Sequence, residues 1–541
     1  MVWLLNNVYD VEHRAYFMSE KKMELTPLKI WSHGASSVMQ YDERYTPYIE
    51  MTGLLPFVQL VSRSTPNLNA AAVTALIDRW RPETRSFHLR TGEMTVTLQD
   101  VSMITALPIE GKPLCMSTDS EGWRHQMEAL IGMSPHEPEV EDGGKKDRVP
   151  VGATFTWIAV NFAHCPEDAD DEVIQRYARV YMWYAISRTI FADGTGKNAP
   201  WMWLKALTVL DNKFSWGSAA LAYLYRQLDD ACRRTTKDGG VGGCMLLLLW
   251  DLVSEVTSEV NLLYKQYTNE MDSLTPEQVE WEPYGVGTNF GDAHTFQLNP
   301  LCVQERHLWL MRCPLICNWA VEFHLLHRVM RQFGYFQPHP PEWVDTDTQL
   351  HRLDRRRQRK IKDWQKHHKS YVITFEQSVQ ATSSIQRTQY REHCPLAFSN
   401  YLRWLHESTR VEICPPAYEE DILEEPTEYD ALAQGGYSKL IREGYQTSFA
   451  HVLNFVAADD MTLKAFQHSA YMLKPRKEFK RYSPDDYAKG KNPVAGGSRL
   501  SRMRSMDDEV EDDDDDDSDD PEQFVVARRK KLASKRGRGP K

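Results

Sequence analysis

The clearest pattern of apolar and polar positions lies in residues 80–113, where a two-residue alternation changes to a helical spacing. Phe87 and Leu89 alternate with polar neighbours, and a turn at residues 90–93 contains Gly92, which can adopt a positive φ. The alternation then resumes at Met94. Such a pattern predicts a short β-hairpin.

A helix is predicted directly after this hairpin. Thr97 suits the N-cap position, and Asp100 lies three residues further on, where its carboxylate can accept a bond from the cap amide. Apolar residues then recur every three or four positions until Pro108 ends the helix. Residues 86–107 are therefore expected to form a compact β-β-α unit.

Most of the remaining pattern is helical. Helices are predicted over residues 46–61, 69–80, 170–191, 218–228 (with Ser218 as the cap), 245–256 and 314–338. A loop is predicted at residues 117–149, and the glycines at 239–243 predict a turn between helices. The expected fold is mainly α: a multi-helix globular body with a small β-hairpin/helix unit and a disordered, acidic and basic C-terminal tail.

Changes in composition along the chain suggest four regions. We expect an N-terminal extension at residues 1–40, a helical body at 41–421, an additional helical segment at 422–488 and a disordered tail at 489–541. The sequence has no apolar run of about 18 residues, which a membrane-spanning helix requires. Nine scattered cysteines and the lack of a signal-peptide pattern indicate reduced thiols inside the cell.

The net charge of −12 equals the charge of a single acidic tract, because residues 507–520 contain twelve acidic side chains and no basic one. Such a block repels itself and cannot bury apolar area. A basic cluster follows it and is a candidate nuclear localisation signal. Its members are Arg528, Arg529, Lys530, Lys531, Lys535 and Arg536. The alternative is a solubilising tail whose basic residues are incidental.

The hairpin-helix stretch carries an ordered set of fifteen residues that resembles the signature of the plant mobile domain family. The signature residues are Trp80, Phe87, His88, Leu89, Gly92, Glu93, Met94, Thr97, Leu98, Gln99, Asp100, Leu107, Pro108, Gly111 and Pro113. Further similar segments extend the resemblance over about residues 41–421. The family includes maintenance-of-meristems-type proteins and transposon-encoded relatives.

The resemblance implies a non-enzymatic nuclear protein that acts in transposon silencing, gene-expression control and meristem development. It implies nuclear protein partners, among them a phosphatase-like protein. The residues themselves, and not the resemblance, suggest non-specific contact with DNA or chromatin and no membrane partner. The alternative is a DNA-binding protein that is encoded by a transposable element and assists or performs transposition. Terminal repeats or a neighbouring transposase gene would favour that alternative.

No motif for catalysis or for a cofactor is present, although the family is also called aminotransferase-like. A pyridoxal phosphate enzyme needs a lysine in a phosphate-binding fold of alternating strands and helices, and the sequence predicts no such alternation. His88 is interpreted as a half-buried hairpin side chain and Asp100 as a capping carboxylate. The glycines at 239–243 lack the lysine of a phosphate-binding loop.

Cys313, Cys317, His324 and His327 are the best candidates for metal ligands. On the continuous helix predicted here, Cys313 and His327 would lie about 21 Å apart at 1.5 Å per residue. Zinc requires ligands that converge at about 2.0–2.3 Å. The sequence therefore favours core packing of these side chains, and no metal is expected.

A basic run at residues 352–369 is the candidate for nucleic-acid contact, because it combines nine Lys or Arg residues with Trp364. The candidate contacts are Arg355, Arg356, Arg357, Arg359, Lys360 and Lys362. A basic helix in a chain with 76 acidic residues can equally pair internally or remain solvated. The sequence leaves these two interpretations open.

Overall fold

The structure is a computed structural model, and it describes part of the chain. The described residues are 7–31, 39–63, 68–136, 151–194, 196–248, 260–276, 279, 281–284, 300–340, 361–383 and 390–413. By its internal contacts the chain divides into two units, Met1–Lys489 and Gly490–Lys541, and every described residue belongs to the first. The additional helical segment at 422–488 and the tail at 489–541 lie outside the described residues, and the predicted domain bounds stay predictions.

Helices dominate the described residues, which confirms the mainly α prediction. They are α1 Asn7–Asp10, α2 Arg14–Ser19, α3 Thr46–Met51, α4 Leu55–Arg63, α5 Ala70–Ile77, α6 Leu98–Thr105, α7 Trp123–Ile131, α8 Phe155–Phe162, α9 Asp171–Arg188, α10 Trp201–Ala206, α11 Trp216–Ala231, α12 Val260–Asp272, α13 Pro300–Val303, α14 Trp364–His367, α15 Lys369–Ser383 and α16 Pro395–Ser408. No helix in these ranges is both long and apolar enough to cross a membrane.

The strands are short and form small sheets. They are β1 Lys29–Ile30, β2 Trp80–Arg81, β3 Ser86–Leu89, β4 Gly92–Met94, β5 Gly152–Thr154, β6 Asn198–Pro200, β7 Gly240–Val241, β8 Pro314–Cys317 and β9 Ala320–Phe323. Strands β2, β3 and β4 form an antiparallel sheet, β5 pairs with β6 and β8 with β9 in antiparallel fashion, and β1 and β7 are parallel.

The predicted β-β-α unit is confirmed. Strands β3 and β4 pair in the register His88↔Glu93, with Gly92 at a φ of 136° directly after the turn. Thr97 caps α6 as predicted, since its hydroxyl accepts from the Asp100 amide at 3.3 Å while the Asp100 carboxylate accepts from the Thr97 amide at 2.7 Å. The sequence did not reveal β2, which extends the hairpin to three strands by pairing Trp80 with Phe87.

The helix predicted at residues 314–338 is wrong. Strands β8 and β9 form a hairpin there, joined through Asn318 at a φ of 50° and Trp319, and short 3₁₀ turns follow. Asn tolerates this left-handed conformation, which two-residue hairpin turns require. Both strands are buried along almost their whole length, so their apolar residues do not alternate and match a helical spacing equally well.

Several predicted bounds also need correction. The helix predicted at 46–61 is divided into α3 and α4 at Gly53, which has a φ of 76°. The helix predicted at 69–80 ends at Ile77, and α7 lies inside the loop predicted at 117–149. Ser218 is not the cap, because α11 begins at Trp216.

The glycine-rich segment and the helix predicted after it also differ from expectation. Gly240 and Val241 form β7, and not a plain interhelical turn. Of the predicted helix at 245–256, the described part is a 3₁₀ turn, Met245–Leu248. The prediction at 170–191 is confirmed by α9, which Asp170 caps through the Val173 amide at 2.9 Å.

The described part of the predicted N-terminal extension is built into the core. Arg14 is only 1% exposed, and its Nε lies 2.6 Å from Asp78 Oδ1. The Leu28 amide donates to Thr74 Oγ1 on α5 at 2.9 Å. Residues 7–31 thus cover α5 and the start of the signature stretch.

The capping box of α6 gives a prediction on stability. Replacing Thr97 with Ala should lower the free energy of unfolding by roughly 0.5–2 kcal/mol, because a first-turn amide loses its acceptor. Thr97→Ser keeps the hydroxyl and serves as the control. Urea denaturation measures both, and equal losses for the two variants would contradict the capping role.

Candidate functional site

The signature residues form the centre of the body, and none of the fifteen is exposed. His88 was predicted to be half-buried, but its side chain is 0% exposed. Trp80, Leu89 and Leu98 are equally inaccessible. Charged side chains from distant parts of the chain surround this stretch.

Glu322 on β9 connects the side chains of the first group of buried charges. Its carboxylate lies 2.6 Å from Arg85 Nη2 and 2.6 Å from Arg226 Nη2 on α11. Arg85 also contacts Asp229 at 3.0 Å, and Trp80 donates its indole N–H to the same carboxylate at 2.7 Å. Burial, together with the nearby Glu322, raises the pKa of Asp229 to about 7, against the effect of Arg85. Two guanidinium groups thus face two carboxyl groups in a site closed to solvent.

Glu93 on β4 organises the second group. Arg328 Nε lies 2.7 Å from its carboxylate, Tyr401 donates a hydroxyl at 2.9 Å and Ser86 donates another at 2.9 Å. Burial acts to raise the pKa of Glu93, but Arg328 and His88 hold it well below its ordinary range. The carboxylate is therefore charged, and a guanidinium and two hydroxyl groups of the protein bind it.

His88 lies beside Glu93, with 3.2 Å between its Nε2 and the carboxylate. Its Nδ1 lies 2.8 Å from the Thr409 hydroxyl, and Thr84 contacts Nε2 at 2.9 Å. Burial lowers the pKa of His88 to about 4. The imidazole is accordingly neutral near pH 7, and its two nitrogens are engaged within the protein.

A third group fixes the N-terminal segment and α12. Asp78 binds Arg14 and also accepts a hydrogen bond from the Tyr264 hydroxyl. Arg79 binds Asp272, which in turn accepts the Ile413 amide at 3.1 Å. These contacts join residues that are 64 to 193 positions apart in sequence.

His13 completes this group beside β2. Its Nε2 lies 2.8 Å from the Trp80 carbonyl oxygen and 2.8 Å from Arg81 Nη1. Burial, and then the charge of Arg81, hold the pKa of His13 well below its ordinary range. The neutral imidazole thus lies between the N-terminal segment and the signature sheet.

The last signature residues bind the backbone at residues 213–217 directly. The Lys112 amide donates to the Lys213 carbonyl at 2.8 Å, and the Gly217 amide donates to the Pro108 carbonyl at 2.8 Å. Gly111 has a φ of 109°, and a Cβ there would lie 2.5 Å from the Lys213 oxygen. The glycine at position 111 is thus explained by close backbone approach.

The glycine-rich segment at 239–243 is filled by the protein itself. A Cβ on Gly242 would lie 2.2 Å from the Ala192 oxygen, and the Gly243 amide donates to that oxygen at 2.8 Å. The glycines therefore allow two backbone segments to meet.

The four candidate metal ligands lie in and beside the β8–β9 hairpin. His324 is saturated by the protein: its Nδ1 lies 2.7 Å from the Met311 oxygen, and its Nε2 lies 3.4 Å from the Leu98 amide. Burial raises the pKa of both thiols, Cys313 and Cys317. Within the described ranges no three His, Cys, Asp or Glu side chains are placed to share a metal ion. The separation of about 21 Å between Cys313 and His327 was calculated for a continuous helix and does not apply to this hairpin. The burial of Cys313, Cys317 and His324 agrees with the interpretation that they pack in the core.

The candidate nucleic-acid contacts are described at one residue only. Lys362 is 59% exposed and pairs with Asp119 at 3.1 Å. Trp364, by contrast, is buried and donates its indole N–H to Thr118 at 2.9 Å. Arg355, Arg356, Arg357, Arg359 and Lys360 lie outside the described residues, as do the localisation candidates at 528–536.

Sequence reasoning found His88, Glu93 and Asp100 but missed their partners. Asp100 also accepts the Tyr284 hydroxyl at 2.6 Å, and burial raises its pKa. Arg85, Asp229 and Arg328 had no local signal, because the apolar pattern around each of them predicts only which neighbouring positions are buried. Glu322 did have one, since it is a charged residue inside the otherwise apolar strand β9.

The chain matches the plant mobile domain over residues 56–253 and 241–406, well over half of its length. It is 31% identical to Protein MAIN-LIKE 1 of Arabidopsis thaliana over 53% of this chain and 58% of that protein. Identity to Protein MAINTENANCE OF MERISTEMS of the same organism is 31%, over 51% of this chain and 59% of the relative.

A third relative is the Serine/threonine-protein phosphatase 7 long form homolog of Arabidopsis thaliana. It is 30% identical over 64% of this chain but only 27% of its own length. The chain therefore spans about a quarter to three fifths of the relatives that it matches. No solved structure matches it.

The charge network predicts a large effect of Glu322→Gln. The substitution leaves Arg85 and Arg226 without their shared charge in a buried site, which should lower the free energy of unfolding by about 3–5 kcal/mol. Asp119→Asn is the control, since it breaks an exposed ion pair that water and salt already weaken. Urea denaturation should separate the two variants clearly, and similar midpoints would contradict a structural role for the network.

The buried histidines predict a loss of stability in mild acid. Burial lowers the pKa of both His88 and His324 to about 4, below the ordinary value of about 6.5 in the unfolded chain. Below pH 6.5 the unfolded chain therefore binds protons that the folded protein does not. Stability should fall between pH 6.5 and 4 by up to about 1.4 kcal/mol per pH unit for each histidine.

Urea midpoints between pH 7 and pH 5 measure this slope. His324→Gln should reduce the slope whatever its effect on stability at pH 7. An unchanged slope in the variant would show that His324 titrates alike in both states.

Proposed function

Since the chain belongs to the plant mobile domain family, we propose that it is a non-enzymatic nuclear protein that binds other proteins or chromatin. Its proposed roles are transposon silencing, control of gene expression and meristem development. The names of the MAIN-LIKE and MAINTENANCE OF MERISTEMS relatives support the last of these roles.

The observation that carries the binding role is the burial and pairing of the ionisable signature residues. A catalytic side chain must reach a substrate, but His88 and Glu93 are closed to solvent and engaged with protein donors and acceptors. Asp100 serves as a helix cap. The most ordered motif of the sequence is thus explained by folding, which leaves the surface of the body to carry function.

We propose nuclear proteins as partners, including a phosphatase-like protein. The similarity to a relative named as a phosphatase 7 long form homolog supports this proposal. A body of this kind, carried on a longer chain, would serve as a recognition module beside an enzyme. Co-purification of the phosphatase-like protein with the full chain, and with a chain that lacks residues 41–421, tests this contact.

The nuclear location is supported by the basic cluster at residues 528–536, which follows the acidic tract. Together with a fluorescent protein, the 62.7 kDa chain is too large to diffuse freely into the nucleus. It therefore needs an import signal. A short cluster of lysines and arginines on a polar segment is the kind of sequence that import receptors recognise.

We predict that alanine at all six cluster positions, Arg528, Arg529, Lys530, Lys531, Lys535 and Arg536, moves a fluorescent fusion from the nucleus to the cytoplasm. Microscopy gives the nuclear fraction. The matched control places alanine at six scattered, exposed lysines, which removes the same charge without removing a cluster and should leave import intact. They are Lys21, Lys112, Lys213, Lys237, Lys265 and Lys366. Full nuclear accumulation of the first variant would overturn the assignment.

A further inference from the structure

The signature sheet of β2, β3 and β4 has two unlike sides, because successive side chains of a strand point to opposite faces. Phe87 and Leu89 lie in the main hydrophobic core of the body. His88 and Glu93, which are paired across β3 and β4, point the other way and have polar partners. This polar side is buried as completely as the apolar one, since His88 is 0% and Glu93 2% exposed.

Helix α16 and the residue after it, Thr409, lie against the polar side and are together called the cover below. Tyr401 on α16 donates its hydroxyl to the Glu93 carboxylate at 2.9 Å and accepts the Glu93 amide at 3.2 Å. The Thr409 hydroxyl lies 2.8 Å from His88 Nδ1. Hydrogen bonds thus join the cover to the hairpin.

The apolar contacts of the cover are separate from the main core. Phe398, Tyr401 and Leu405 form a second, small cluster with Trp281 and Val411. Among the described elements, no helix or strand backbone packs closely along α16, whereas α11 has close neighbours among both strands and helices. The opposite face of α16 is largely exposed. A few side chains therefore supply most of the free energy that holds α16 in place.

Three buried donors at this contact have no hydrogen-bond acceptor among the described residues. They are Ser408 Oγ on α16, Arg81 Nε and Arg328 Nη2. Both arginines border the cover, since Arg81 Nη2 lies 3.3 Å from the Arg410 oxygen and Arg328 Nε binds Glu93. A buried donor without an acceptor weakens the closed arrangement, because the same group would be hydrogen-bonded in water.

Both ends of the cover are tied to the body. Just before α16, the His393 amide donates to the Gly334 carbonyl at 3.1 Å. Beyond Thr409, Ile413 is 0% exposed in the main core, and its amide donates to Asp272 at 3.1 Å. The cover can therefore leave the sheet as a segment held between two fixed ends.

We propose that the cover opens and closes while the main core stays folded. On opening, the Glu93 carboxylate loses Tyr401 and the His88 imidazole loses Thr409, so that both groups meet solvent. Elements with few buried apolar contacts are the ones that open ahead of global unfolding. The cover thus controls access to the polar side of the signature sheet, which the closed body hides.

Hydrogen exchange of the full chain at pH 7, followed by mass spectrometry, tests this opening. Peptides from residues 399–408 should be at least about a hundredfold less protected than peptides from α11. Their exchange should also depend less on added urea, because opening of the cover exposes less surface than global unfolding. Equal protection and equal urea dependence in the two helices would overturn the proposal. Exchange of α16 at the rate of an unfolded chain would overturn it too, since the cover would then never close.

Two variants identify the contacts that break on opening. Tyr401→Phe keeps the ring but loses the hydroxyl that binds the charged Glu93, so α16 should exchange about tenfold faster. Thr97→Ala weakens a helix cap that stays formed while the cover is open, so it should speed exchange of α11 and leave α16 unchanged. Unchanged exchange of α16 in Tyr401→Phe, or equal acceleration of both helices in Thr97→Ala, would contradict a separate opening.

A thiol on the buried face of α16 gives an independent measurement. Ser408 is 0% exposed and its hydroxyl has no acceptor among the described residues, so Ser408→Cys removes no hydrogen bond seen there. The introduced thiol should react with iodoacetamide at least about tenfold faster than Cys317, which is buried in the main core of the same chain. Peptide masses give both rates, and equal rates would refute the proposal.

Discussion

The enclosure of Glu322 between two arginines is the constraint on which the rest of the body depends. Transfer of such charges from water into a protein costs several kcal/mol per ion unless opposite charges and hydrogen bonds compensate. Arg85 and Arg226 come from different elements and share this one carboxylate. The signature sheet, α11 and the β8–β9 hairpin must therefore assemble together. If two of them packed without the third, a buried charge would lack one of its partners.

This constraint changes how the family signature is understood. A motif that contains His88, Glu93 and Asp100 has the composition of an acid–base centre, yet each side chain has a structural task. Glu93 binds Arg328 and Tyr401, which belong to the later part of the body, and Gly92 leaves room for Trp281, whose ring would lie 3.0 Å from an added Cβ. The ordered motif thus specifies which distant segments meet.

The sequence predicts the local features of this fold well and the distant ones poorly. The capping box of α6, the β3–β4 hairpin and α9 were predictable because their signals lie within a few residues of each other. The β8–β9 hairpin was missed, since a strand buried on both faces has no alternation. At the candidate site the ionisable residues of the signature could be named, but partners such as Arg328, 235 positions from Glu93, have no local trace.

The two ends of the described body meet on one side. Arg410 lies 2.6 Å from Asp10, and its carbonyl oxygen accepts from Arg81, the same arginine that contacts His13. Proteins open locally in cooperative units whose contacts are lost together. Asp10, His13 and Arg410 should therefore open as one unit, because His13 and Arg410 both contact Arg81 and Arg410 binds Asp10.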